Sequence, residues 1–238
     1  MGDEELIKIV PVTNGPEYDD IQATFRRNSP SSRIISIERI QNKTLYLGYQ
    51  ALKKKFEVEN PNIRNEVDGL WHGTAEGSVN GINKSGFNRS YCGKNGEYII
   101  IIIIIIHPPS ILAFTNEVHG LWHGTAAGSV NGINESGFNR SYCGRNATVF
   151  GEGVYFARDI RYSASHTYST PDHYGIKRIY KCSVLVGRVM QGYYGLKVLQ
   201  DSYNSAADNI YYPSVYVIFH DFQAYPNYLI TFYNYRIN

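Results

Sequence analysis

The sequence predicts an α+β fold. Helical patterns gather in the opening part of the chain, over 16–27 and 43–59, whereas the closing part reads as strand over 176–190, 209–220 and 225–236. Tyrosine is the outlier of the composition at 21 copies, with 10 phenylalanines and 2 tryptophans, residue types that suit pleated, half-buried surfaces. A doubly wound sheet would alternate strand and helix throughout, and this chain does not.

Element by element, PEYDDIQATFRR at 16–27 starts a helix with Pro16, whose missing N–H is harmless there. RIISIERI at 33–40 alternates like a strand. KTLYLGYQALKKKFEVE at 43–59 has an amphipathic helical pattern closed by Asn60-Pro61. Short strands are expected at Gly69–His72 and Gly120–His123, with Thr74 and Thr125 as N-caps of the helices that follow. RDIRYSASHTY at 158–168 reads as helix. The rest is strand and turn.

At 238 residues the chain is expected to form one domain, 1–238, at about 100–200 residues per domain. A formal net charge of +2 with 18% charged residues argues against a broad basic footprint, so no direct nucleic-acid binding is expected. Cys92, Cys143 and Cys182 are odd in number and show no CxxC spacing, which fits neither a disulfide framework nor a zinc site. The opening MGDEELIKIV is acidic where a secretory signal would be basic. The expectation is an intracellular protein of a reducing compartment, nucleus or cytoplasm, with no membrane association.

The chain contains a duplication. Residues 65–95 and 116–146 are the same 31-residue block, differing only at Asp68/His119, Glu76/Ala127, Lys84/Glu135 and Lys94/Arg145. Two copies are too few for a solenoid. Between them, Ile99 to Ile106 is an unbroken isoleucine run. It is far short of the roughly 20 apolar residues of a membrane span and reads as low-complexity sequence that must be buried or aggregate. The segment 65–115 is therefore read as a duplicated or inserted piece.

Several chemistries fail on spacing. Gly151-Glu152-Gly153 opens no helix and is weak dinucleotide evidence. His119 and His123 are four apart in an expected strand, which separates them, and no third ligand is near, so no metal is expected. Nothing in the sequence sets Cys182 beside a histidine. What remains is a set of small-residue turns around polar and aromatic side chains: Trp122-His123-Gly124-Thr125, Gly151 to Ala157, and Tyr162-Ser163-Ala164. A glycine after a histidine lets a ligand reach the backbone, and a pair of tyrosines can sandwich a flat heterocycle. Singly, each reads as ordinary core or strand filling.

Their order and spacing together resemble the catalytic domain of the poly(ADP-ribose) polymerase family, the diphtheria-toxin-like ADP-ribosyltransferases, and most of all its macrodomain-bearing mono-ADP-ribosylating members. The resemblance rests on ISIERIQNKTLYLGYQALKKK (36–55), LWHGTAAGSVNGINESGFNRSYCGRN (121–146), FGEGVYFARDIRYSASHTYSTPD (150–172) and VYVIFHDFQAYPNYLITF (215–232). It covers about 18–236 apart from the duplicated copy and the isoleucine run. It implies two packed antiparallel sheets with flanking helices and an NAD+ cleft between them. His123 would hydrogen-bond the adenosine ribose. Gly124 would clamp the nicotinamide amide through its backbone, with Ser163 on the same amide. Tyr155 and Tyr168 would stack on the nicotinamide ring, and Thr125, Phe156 and Ala157 complete the cofactor-binding set.

Where polymer-forming members carry a glutamate, this chain has Val215, so the three signature positions read His123, Tyr155, Val215. A valine has no lone pair with which to hold a ribose hydroxyl or activate an acceptor. The resemblance therefore implies transfer of a single ADP-ribose unit from NAD+ to an acceptor protein, the chain itself included, with release of nicotinamide and no metal. The alternatives are an NAD- or ADP-ribose-binding module without catalysis, or a misfolded product of a duplicated gene. Of the two copies, the second is expected to serve the site, because His123 lies 32 residues before Tyr155 and His72 lies 83 before it.

Overall fold

The computed structural model describes residues 6–61, 63, 117–139 and 148–234. The first repeat copy with His72 and Thr74, the isoleucine run, Cys92 and Cys143 lie outside the described residues.

The chain opens with β1 (Ile7–Pro11), α1 (Pro16–Asn28), β2 (Ser32–Asn42) and α2 (Lys43–Glu59). α1 starts on Pro16, with Glu17 and Asp19 in its first turn and Arg26 and Arg27 in its last, matching the helix dipole. α2 ends at Glu59, ahead of Asn60-Pro61 as its pattern requires. Asn42 caps its start by accepting from the Leu45 N–H at 3.0 Å. Then come β3 (Glu117–Thr125), α3 (Val130–Ser136), β4 (Val154–Ala157), α4 (Ile160–Ser163), β5 (Lys177–Leu185), β6 (Val189–Gln191), β7 (Ser205–Ala207), β8 (Val215–Ile218) and β9 (Ala224–Asn234).

Three local expectations are corrected. Thr125 caps no helix: it ends β3, a 3-10 turn at Ala127–Ser129 follows, and its hydroxyl lies 3.5 Å from the Ala126 carbonyl. The helix expected over 158–168 shrinks to α4. Asp159 caps its start, and beyond Ser163 serine side chains take up backbone groups that a longer helix would need. Residues 209–214 are loop, because Asp208 accepts from the Ser214 and Val215 N–H groups and Asn209 from those of Tyr211 and Tyr212.

The strands run in the order β1-β2-β9-β5-β3-β4-β8-β7-β6. All neighbours are antiparallel except β6 and β7, which are parallel. The two sheets implied by the resemblance are thus halves of one hydrogen-bonded order, and the second half is mixed rather than purely antiparallel. The halves meet at one residue pair, Trp122 with Ala157. β3 pairs with β5 along its whole length, from Glu117 opposite Leu185 to Thr125 opposite Arg178. Past Trp122 its other edge is not paired with β4, and at Gly124 it is met by the backbone of Ser163, Tyr168 and Ser169.

Apolar packing secures both sides of this seam. Trp122, 1% exposed, sits with Phe25 and Phe232 between α1 and the first half, at about 1.5–3 kcal/mol for each large side chain buried. Phe138, Phe156 and Tyr180 anchor the other cluster in edge-to-face contacts with centroids 5.0 and 5.7 Å apart. Cys182 is buried in that cluster and burial pushes its thiol well up, so it is no nucleophile.

At the start of β3, buried Glu117 receives Tyr49 and Lys53 from α2. His119 Nδ1 lies 2.7 Å from Ser183 Oγ, whose proton goes to Asn227 Oδ1, and His119 Nε2 is 3.6 Å from Glu117. The first repeat copy carries Asp68 at the position of His119. His119→Asp would set a second carboxylate against Glu117 and remove the donor to Ser183. It is expected to cost about 1 kcal/mol, seen as a melting temperature lower by about 2–4 °C.

Candidate functional site

The expected site residues gather where the end of β3, β4 and the chain from α4 to Ser169 meet. His123 stands half-buried on β3. Its Nδ1 lies 2.9 Å from the Tyr155 carbonyl, and the ring is held by Phe138 and Phe156, with centroids 4.9 and 5.4 Å away. A carbonyl only accepts, so Nδ1 carries the proton and Nε2 presents a lone pair. Desolvation lowers the imidazole pKa from its usual 6.5 against the opposing effect of the Tyr155 carbonyl, which keeps the ring neutral.

Gly124 is where β3 meets the α4 segment most closely. A Cβ there would stand 2.2 Å from the Ser163 carbonyl oxygen and 2.8 Å from Ser169 N and from Tyr168 C, all backbone atoms. The Trp122 carbonyl two residues earlier accepts from Ser163 Oγ at 2.8 Å. By the two-residue period of a strand, the N–H and C=O of Gly124 point to the same side as the Trp122 carbonyl, away from β5. Ser163 is buried and its single proton is spent on Trp122, so toward a ligand it offers lone pairs.

The two tyrosines expected to sandwich a ring do not face each other as a bare pair. Tyr155 donates to the Gly151 carbonyl and accepts from the Phe150 N–H, both at 2.9 Å, and so closes the turn before β4. Its ring packs over Met190, Leu196, Ala206 and Val217, and it reaches His123 through its carbonyl. Tyr168 stacks on Tyr162, with centroids 4.8 Å apart and hydroxyls 2.9 Å apart. The sequence names Tyr162 in the Tyr162-Ser163-Ala164 turn but gives no sign of this stack. Burial first, and then the Tyr168 hydroxyl, push its phenol pKa up, with Tyr155 and Asp208 adding to the effect.

Phe156 and Ala157, expected among the binding residues, are buried at 0% and 1%. They hold β4 against β8 and β3. Thr125 is likewise buried at the end of β3. Val215 lies opposite Ala157, and its N–H is bonded to Asp208. Trp122, Ala157 and Val215 therefore form one row across β3, β4 and β8, with His123 one residue beyond it. Ser169, which the sequence did not single out, ties the loop: its Oγ is within hydrogen-bond distance of the Ser163 and Arg178 carbonyls, at 2.9 and 2.7 Å. Among the described residues a hollow lies on α1 and the start of β2, lined by Tyr18, Gln22, Arg26 and Arg33, and none of the candidate residues lines it. Among the described residues no His/Cys/Asp/Glu group could hold a metal ion.

Residues 113–205 match the profile of the poly(ADP-ribose) polymerase catalytic domain. Over 95% of its length the chain is 34% identical to human (Homo sapiens) protein mono-ADP-ribosyltransferase PARP14, of which it spans 10%. It is 46% identical over 47% of its length to mouse (Mus musculus) PARP10, spanning 12% of that protein. To human PARP11 it is 31% identical over 94% of its length, spanning 59%. Each of these relatives is thus longer than the chain, which corresponds to only part of it. The matched span runs through β3, β4, α4 and β5, the elements that bring the expected site residues together, and over that span the chain matches the poly(ADP-ribose) polymerase catalytic-domain family.

Proposed function

We propose that the chain is an NAD+-dependent protein ADP-ribosyltransferase that attaches a single ADP-ribose unit to an acceptor protein. The observation that carries the single-unit reading is Val215. It is 2% exposed, its backbone is locked to Asp208, and it fills the position from which a carboxylate would otherwise reach the site.

NAD+ is the substrate, and the residues suit it. Gly124 lets the Ser163 and Tyr168–Ser169 backbone come up against β3, and its own N–H and C=O, turned away from β5, would serve an amide. Ser163 offers lone pairs to an amide N–H. His123 Nε2 offers an acceptor to a ribose hydroxyl. The face of Tyr168 away from Tyr162 offers a platform to the nicotinamide ring. The bond from ribose C1′ to the pyridinium nitrogen breaks, its electron pair leaves with neutral nicotinamide, and an acceptor oxygen bonds to C1′. The leaving group starts cationic, so holding NAD+ in a reactive pose supplies much of the acceleration without a general base. An acceptor carboxylate would need no deprotonation and would stabilise the cationic sugar, which compensates for the missing glutamate. The odd number of cysteines and their lack of CxxC spacing support action in a reducing compartment.

The experiment is incubation of the purified chain with labelled NAD+ and a protein acceptor, followed by electrophoresis. A discrete labelled band is expected. A high-molecular-weight smear collapsed by a poly-specific glycohydrolase would overturn the single-unit reading, and NAD+ binding without any label transfer would reassign the chain as a binding module.

A further inference from the structure

No step above uses the stack of Tyr162 on Tyr168. The rings are 18° from parallel at 4.8 Å, and the hydroxyls are joined at 2.9 Å. The two tyrosines are anchored differently. Tyr162 stands on α4, whose first residue Ile160 is fully buried and whose start is capped by Asp159. Tyr168 stands in the following stretch, which has neither helix nor strand and is closed on itself by the Ser169 bonds.

We infer that Tyr162 is a positioning residue: it covers one face of Tyr168 and fixes the plane of the ring whose other face receives the nicotinamide of NAD+. The inference rests on the reading of Tyr168 as the nicotinamide platform. An aromatic ring has two faces, and Tyr162 covers one of those of Tyr168. A tyrosine free to turn about its two side-chain torsions would lose that freedom on binding, weakening affinity. A ring already stacked and hydrogen-bonded lost it during folding. The raised Tyr162 phenol keeps the hydroxyl pair intact across ordinary pH. The opposing arrangement has Tyr162 standing where the ligand ring belongs, so that it must leave before NAD+ can bind.

The test measures binding of 3-aminobenzamide, a nicotinamide mimic, by calorimetry, together with KM and kcat for NAD+ and the melting temperature. It compares the whole wild-type chain with Tyr162→Ala, Tyr162→Met and Tyr162→Phe. Tyr162→Ala is expected to raise Kd for the mimic and KM for NAD+ about three- to tenfold while kcat moves much less. Tyr162→Met, which keeps the bulk but loses the flat face, should behave likewise and decides the matter if the alanine variant does not fold. Tyr162→Phe keeps the stack and recovers most of the affinity. A merely structural residue would lower melting temperature and kcat together. Variants that bind the mimic as tightly as wild type, or more tightly, overturn the inference. A wild-type chain that binds neither NAD+ nor the mimic overturns the site reading instead.

Discussion

Gly124→Ala should reduce kcat/KM for NAD+ by a hundredfold or more, about 2.7 kcal/mol of lost transition-state stabilisation. The new methyl would stand 2.2 Å from the Ser163 carbonyl oxygen and 2.8 Å from Ser169 N. Those atoms are backbone, so relief requires the whole α4-to-Ser169 stretch to withdraw from β3. That stretch carries Ser163 and Tyr168. Its withdrawal would break the Ser163 bond to the Trp122 carbonyl and carry the ring platform away from the strand that holds His123. A misplacement of about 1 Å is enough for a loss of this order. Gly128→Ala is the control: a Cβ there meets nothing within 4 Å, so melting temperature and transfer rate should match wild type. Undiminished transfer by Gly124→Ala would mean that the meeting of β3 and α4 is not where NAD+ lies.

The opening elements were legible because their signals are local. Pro16 fixed the start of α1, and Asn60-Pro61 fixed the end of α2 to the residue. The strands of the closing part were legible where tertiary packing agreed with composition, as in β5 and β9. They were overcalled at 209–214, where the tyrosines that suggested strand are exposed and the Asp208 and Asn209 side chains hold the backbone in turns. β1 and β7 went unread because five- and three-residue strands are too short to show a period. The parallel β6–β7 pair could not be anticipated, since nothing local sets the direction in which two short strands associate.

Motif order brought the right segments together and was silent on how they touch. His123 and Tyr155 meet through an imidazole nitrogen and a backbone carbonyl, which any residue at 155 could supply. The spacing within YFA therefore says nothing of that bond. Ser163 was read as a ligand group, and its one proton is spent on β3. Tyr162 stands out in the sequence as the start of the Tyr162-Ser163-Ala164 turn, but nothing there points to its contact with Tyr168. Its six-residue separation from Tyr168 bridges a turn rather than a helix, and no periodicity predicts a ring stack across a turn. The available clue was the pair of tyrosines flanking a serine-rich loop, which only a folded chain makes meaningful.

His123→Ala is expected to lower kcat/KM for NAD+ by about 1–3 kcal/mol, roughly five- to 150-fold, the scale of a hydrogen bond to a buried ligand. The alanine also leaves a void between Phe138 and Phe156 and removes the hydrogen bond to the Tyr155 carbonyl, so the fold loses stability as well. His123→Phe separates the two effects: it refills the void, recovers part of the melting temperature and leaves the catalytic loss in place. The sign of the pH effect follows from the lowered imidazole pKa. Where the unfolded chain would bind a proton and the folded one does not, stability rises with pH, so it is complete above the ordinary value of about 6.5 and declines as pH falls below it. That decline should be smaller in His123→Phe. His72→Ala, in the other copy of the repeat, should be silent. Loss of transfer in His72→Ala together with wild-type transfer in His123→Ala would assign the site to the first copy and sever the link between the Tyr155 carbonyl and catalysis.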